Sequence, residues 1–335
     1  MIFRSISQLL LLSALAVAAN SSAASRDDLA PMPERVQAYS PTGRALVSPR
    51  PARETLEKLN AARIEYQKDP SDADNIIWYG RRMAYTGDYR GAIRIFSEGI
   101  DRHPRDARMY RHRGHRYISV REFDRAIEDL EYAAKLIEGE ENSIEPDGIP
   151  NALNVPVSTL HGNIWYHLGL ARYLKHDWER AYRAFQAGFD TGGNDDNRVS
   201  TTHWRYMILR RMGKHGEAER TLDDISAEMN VIENQVYHRL CLFYKGQVPL
   251  AEMAAGDRDN PTGAAGAYGI ANWFLYNGDM AEARRRMEAL TNIAGWDSFG
   301  YIAAEADLAM MDGASSAAST HGTLVSSRPW PARRR

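Results

Sequence analysis

Ile76-Ile77-Trp78-Tyr79-Gly80-Arg81-Arg82-Met83-Ala84-Tyr85-Thr86-Gly87-Asp88-Tyr89-Arg90-Gly91-Ala92-Ile93-Arg94-Ile95-Phe96 is the stretch that decides the fold. Gly87-Asp88 breaks a helical pattern. Ala92 and Phe96 follow four positions apart, on one helical face. Gly80 stands twelve residues before Ala92. The motif then recurs. Gly87 to Ala92 is matched by Arg121-Glu122-Phe123-Asp124-Arg125-Ala126 and His176-Asp177-Trp178-Glu179-Arg180-Ala181. Gly213 to Ala218, Gly246 to Ala251 and Gly278 to Ala283 complete the series. Gly114, Gly169 and Ala271 precede Ala126, Ala181 and Ala283 by the same twelve positions, and Leu130, Phe185, Leu222 and Met287 follow their alanines by four. Two antiparallel helices approach closely where small side chains lie at the crossing, so each unit is predicted to be a helical hairpin. A fixed period marks a stack of such units; Pro70 and Pro104, 34 residues apart, set that period.

This spacing resembles the tetratricopeptide repeat (TPR) family. Ile76, Tyr79, Gly80, Met83, Ala92, Phe96 and Pro104 fit its motif. So do Tyr110, Gly114, Tyr117, Ala126 and Leu130, and then Trp165, Leu168, Gly169, Ala181 and Phe185. The fourth repeat departs, with Tyr206 where a small residue is usual, and the fifth, around Tyr237 to Gly256, is degenerate. The resemblance implies an all-α superhelical solenoid of antiparallel helix pairs over residues 52–312, about six pairs, with Trp296 to Met311 as a C-terminal capping helix. An excess of about twenty residues, 138–160, interrupts the period; it contains Glu145-Pro146-Asp147-Gly148-Ile149-Pro150. It reads either as an ordered lid or as a tolerated surface insertion. Leu242 to Gly246 and Ala271 to Asp279 are also similar to the bacterial outer-membrane TPR adaptor family NlpI, whose lipid-anchoring cysteine this chain lacks. That likeness implies a scaffold for envelope proteases or cell-wall enzymes.

The flanks carry other information. Arg4, the apolar run Ile6 to Ala19 and the small residues Ser22-Ala23-Ala24 have the layout of a secretory signal. Residues 1–25 are therefore expected to be a cleaved signal peptide and the mature chain to be periplasmic or secreted. Residues 26–51, rich in Pro, Ser, Ala and Arg, are expected to be a flexible linker, and 313–335, ending in three arginines, a disordered tail. No later apolar run is long enough for a transmembrane segment. A formal net charge of −2 over 335 residues gives no nucleic-acid footprint. The single cysteine, Cys241, can form neither an internal disulfide nor a Cys-rich zinc site.

Catalytic signatures such as GxSxG, HExxH and Gly-rich phosphate loops are absent from the sequence. No cofactor is implied, and the chain is read as a non-enzyme. His112 and His115 lie three apart, with His161 and His167 in the next repeat, but no carboxylate or cysteine joins them at ligand spacing. The acidic run Asp190 to Asn197 lacks the alternation of a calcium loop and is expected to be a solvated turn.

The family's ligand-facing positions, carried onto this chain, fall on Arg81, Tyr85, Arg108, Arg111, His115, Tyr166, Tyr173, His203 and Arg210. Arginines pair with carboxylates in bidentate fashion, and aromatic residues add apolar contact. The set implies a protein or peptide partner, acidic or extended. The asparagines and lysines of the family's carboxylate clamp are missing. The leading expectation is an exported binding adaptor with a concave groove. The alternatives are a self-assembling structural module, with an oligomer left open, and a metal-binding or enzymatic protein using His112 and His115.

Overall fold

A computed structural model describes residues 36–254, 261–293 and 295–323. The expected signal peptide lies outside the described residues. A short hairpin, β1 (Val36–Tyr39) and β2 (Ala45–Val47), is followed by α1 (Arg53–Lys68) and six helical hairpins. These are α2 (Ala73–Tyr85) with α3 (Tyr89–Arg102), α4 (Ala107–Ser119) with α5 (Phe123–Leu136), and α6 (Leu160–Leu174) with α7 (Trp178–Gly192). Then come α8 (Asp195–Arg211) with α9 (His215–Arg220), α10 (Gln235–Tyr244) with α11 (Leu250–Ala254), and α12 (Pro261–Tyr276) with α13 (Met280–Leu290). A long helix, α14 (Phe299–Thr323), closes the described chain. The expected all-α solenoid of antiparallel pairs is present.

Local chemistry sets the helix starts. Side chains of Asp72, Asp88, Thr159, Asn194 and Asp279 each accept a hydrogen bond from a backbone N–H in the first turn. The first residue of every repeated six-residue motif takes the left-handed conformation that reverses the chain: Gly87 (φ 80°), Arg121 (65°), His176 (57°), Gly213 (74°), Gly246 (77°) and Gly278 (92°). Glycine enters this region without steric penalty; arginine and histidine do not.

The hairpins close differently from the small-against-small expectation. A Cβ on Gly80 would lie 2.5 Å from the Phe96 ring, and one on Gly114 or Gly169 would lie 2.7 Å from Leu130 or Phe185. Each glycine thus makes room for the large residue four places beyond the alanine. Phe96, Leu130 and Phe185 are 1 %, 0 % and 0 % exposed, so this fit carries the core. Burial of each contributes about 2–3 kcal/mol.

Two flanking expectations need correction. Residues 36–51 are not a free linker. The strands pair antiparallel, Ala38 and Leu46 are buried, and the hairpin is sewn to the solenoid. Arg90 Nε donates to the Gln37 carbonyl (2.7 Å), Trp296 Nε1 to the Val47 carbonyl (2.9 Å) and Ser48 Oγ to the Gly87 carbonyl (2.7 Å). Strands of three and four residues leave too short an alternation to read. The expected disordered tail also begins too early: α14 continues through 313–323, and 324–335 lie outside the described residues.

The terminal helix does more than cap. It packs on α12 and α13 and also touches α6. Its acids reach back to the turns of earlier hairpins. Arg121 pairs with Glu305 (2.7 Å), and His176 and Arg211 pair with Asp307 (3.0 Å each). Both non-glycine left-handed residues of the repeated turns, Arg121 and His176, thus spend their side chains on α14. No described helix is long and apolar enough to cross a membrane.

Candidate functional site

The insertion and the start of α14 frame a cavity of about 460 Å³ among α4, α6, α8 and the segment before α10. One wall is basic: His115 and Arg116 from α4, and His167 from α6. The His115 and His167 rings lie 4.2 Å apart, and Phe299 packs against both. His167 Nδ1 meets the Asn163 carbonyl at 2.6 Å, which leaves Nε2 for other partners. The Arg116 guanidinium lies over the Tyr89 ring and makes no hydrogen bond or ion pair among the described residues. Burial, followed by the neighbouring basic groups, pushes His115 and His167 well below the ordinary histidine value, so both are neutral at pH 7.

The lining also carries Asp196 and Glu233, and both carboxylates are engaged. Asp196, 2 % exposed, accepts from the backbone N–H groups of Ile232, Glu233 and Asn234 at 2.7–2.9 Å. The acidic run expected to be a solvated turn therefore enters α8 and pins the segment before α10. Glu233 accepts from Asn151 Nδ2 (2.6 Å), which ties the insertion to the same rim. A third acid at the rim, Asp297, accepts from the Tyr89 hydroxyl (2.6 Å).

Beside the cavity, the insertion crosses α2 and α4 as a strap. The Glu145 carboxylate pairs with Arg111 (2.9 Å), accepts from Asn163, and lies 3.7 Å from His112. The Pro146 and Gly148 carbonyls accept from Arg81 and Arg82, each at 2.8 Å. The Tyr85 hydroxyl abuts Gly148 so closely that a side chain there would collide with it.

The nine expected groove residues divide. Arg81, Tyr85 and Arg111 meet on the strap, while His115 and Tyr166 face the cavity. The other four do not join them. Arg108 turns to Asp106 and Asp74, and Arg210 to Tyr206 and Asn277. Tyr173, 1 % exposed, bonds the Tyr268 hydroxyl and Asn272 of α12. His203, fully buried, meets the Tyr244 hydroxyl at 3.2 Å, and burial lowers its pKa to about 3. Tyr173 and His203 are core residues because α10 and α12 fold back over them. Arg116, next to His115, and Asn163 also line the cavity, and neither was among the positions carried over from the family.

The other singled-out groups also have structural settings. His112 stacks on Phe96 and its Nδ1 accepts from Arg111 (2.7 Å). Cys241 is buried against the Val199 carbonyl, and burial pushes its thiol up. Among the described residues no group of three or more His, Cys, Asp or Glu is placed to hold a metal ion.

No family model and no curated protein matches the chain. Solved structures do. YrrB, a TPR protein with an unusual peptide-binding site, is 14 % identical, with 72 % of this chain and 97 % of that one covered and a TM-score of 0.40. TPR-like repeats of a Podosopora anserina kinesin light chain are 13 % identical (66 % and 94 % covered, TM-score 0.40). MamA RS-1 is 17 % identical (50 % and 80 % covered, TM-score 0.39). The NlpI likeness finds no counterpart among these. From its own hairpin geometry and repeated turns, the described chain is a TPR-like helical-hairpin solenoid.

Proposed function

We propose that this chain is an exported, non-enzymatic scaffold that binds a protein or peptide partner on the inner face of its helical hairpins. An acidic side chain or chain segment of the partner enters the cavity. The observation that carries this reading is the basic wall: Arg116 lines a 460 Å³ cavity without an ion pair among the described residues, beside two neutral histidines with ring nitrogens to offer. A cavity of this size with a few convergent polar groups suits a small group rather than a long helix. A carboxylate placed there would pair with Arg116 and accept from an N–H of His115, while the free Nε2 of His167 can take a hydrogen-bond donor of the partner. The signal-like N-terminus supports action in a periplasm or outside the cell.

The test is crosslinked co-purification of the full chain from its native envelope or medium, beside an Arg116→Gln variant of matched melting temperature. The variant is expected to lose the partners enriched by the parent chain. Identical partner profiles would remove the cavity from the reading. Self-assembly is the second reading, favoured by Ile144, Ile149 and Leu153 of the insertion, which are 60 %, 74 % and 66 % exposed. Light scattering across concentration separates the two, since a scaffold that acts alone keeps a constant mass.

A further inference from the structure

We propose that the arginine face of α2 and α4 is a binding site for an acidic extended peptide segment, and that the chain's own strap, Glu145 to Gly148, holds it as a built-in competitor. This rests on the scaffold reading above and names the partner's chemistry and how access is controlled.

The strap is bound as a peptide ligand would be. One carboxylate is paired: Glu145 with Arg111, both side chains about one-tenth exposed. Two main-chain carbonyls, of Pro146 and Gly148, take the guanidinium groups of Arg81 and Arg82. Main-chain recognition of this kind is indifferent to side-chain identity. Any extended segment with a carboxylate at the Glu145 position presents the same acceptors.

The fit is incomplete, which makes the strap displaceable. Asp147 Oδ2 and Arg111 Nε are buried without a hydrogen-bond partner among the described residues. Burial raises the Asp147 pKa despite the nearby Arg81, the mark of a carboxylate poorly served by its site. A buried polar atom left unmatched favours any occupant that satisfies it. Little apolar burial holds the strap, since it contains no large apolar residue and Ile144 and Ile149 on either side of it are exposed.

The strap also has a fixed base, and beyond it the chain is held by separate polar contacts, at Pro146, Gly148 and Asn151. Glu145 N–H donates to the Ser158 carbonyl and Leu160 N–H to the Ser143 carbonyl, each at 2.9 Å, which clamps the two ends together. Between these ends the tip leans on Arg81, Arg82, Arg111 and Tyr85. The returning arm, Val157 to Thr159, walls the cavity. Lifting the tip therefore frees the arginines next to the cavity, and one extended acidic segment can cover both.

The probe is a fluorescent synthetic peptide with the sequence of residues 142–151, titrated into the full chain and into Glu145→Gln, which keeps the shape of the latch and removes its charge. An occupied site weakens apparent affinity in proportion to the fraction closed. Glu145→Gln is expected to bind the peptide roughly tenfold more tightly than the parent chain, and Arg81→Ala in that background is expected to abolish the gain. Amide exchange is the second measurement: faster exchange confined to residues 145–149 shows a released strap on an intact fold. Equal affinity for parent and Glu145→Gln, with the peptide bound to both, overturns the competitor and leaves the scaffold reading standing. No binding to either chain while strap exchange is accelerated overturns the site itself, and Arg116→Gln co-purification then decides the scaffold reading separately.

Discussion

Two acidic segments lie against basic residues of the solenoid, and they are held in opposite ways. Helix α14 brings Glu305 and Asp307 to Arg121, Arg211 and His176, and it buries Tyr301, Ile302, Ala303 and Ala304 in the core. The strap brings Glu145 to Arg111 and leaves Ile144 and Ile149 on either side of it in solvent. The same pairing chemistry therefore has two consequences. Where apolar burial accompanies the ion pair, the segment is part of the fold. Where it does not, the segment can be exchanged for another of similar charge.

The sharpest way to break this contrast is Asp307→Ala. Asp307 is fully buried and accepts from Arg211, from the Tyr268 hydroxyl (2.8 Å) and from His176. Burial opposes its charge, but Arg211 and His176 outweigh that and hold the carboxyl below its usual value. Its removal strands a buried guanidinium, and a loss of about 3–5 kcal/mol is expected by urea unfolding. A loss below about 1 kcal/mol would put α14 in the same class as the strap.

Acid should act next. His112, His115, His167 and His203 are held neutral, chiefly by burial, with pKa values below those of the unfolded chain. Below about pH 6.5 the unfolded chain takes up protons that the folded chain refuses, so stability falls as pH falls. Each histidine contributes a slope of about 1.4 kcal/mol per pH unit. For His203 the slope persists down to about pH 3. Glu305 and Asp129, raised by burial, oppose it at the acid end, because they bind protons more readily when folded. Urea midpoints at pH 7.5, 6.5 and 5.5 measure the trend; a midpoint constant across that range would contradict the buried, neutral histidines.

Smaller effects belong to the strap. Glu145→Gln is expected to lower global stability by about 1 kcal/mol or less, since a freed tip lets Arg111 reach water. Arg81→Ala, which removes a single bond to the Pro146 carbonyl, should cost less than about 1 kcal/mol. A global loss for Glu145→Gln as large as that for Asp307→Ala would make the strap a structural element and erase the comparison.

Particular residues show how far the sequence could be read. The six repeated turns predicted the hairpins because a left-handed residue, a small residue and a large apolar residue at fixed spacing are local requirements. Of the expected groove residues, Arg81, Tyr85 and Arg111 lie under the insertion, and His115 and Tyr166 line the cavity. Tyr173 and His203 are buried instead, since a helical face stays open only if nothing later in the chain covers it. Tyr173 and its partner Tyr268 are 95 positions apart, and no period connects them. Arg121 and His176 open two of the repeated turns where the other four have glycine; the use of their side chains became visible only with Glu305 and Asp307 beside them.

The repeating hairpin was thus determined by the sequence alone, because its determinants lie within one unit and recur. The sequence also marked 138–160 as an insertion. Tertiary structure decided which inner-face residues stay near a cavity, that residues 36–51 join the solenoid, and that the insertion lies on the arginines of α2 and α4. The physical reason is range: each of these outcomes depends on contacts between distant segments, where burial and charge pairing compete with chain entropy and leave no periodic trace.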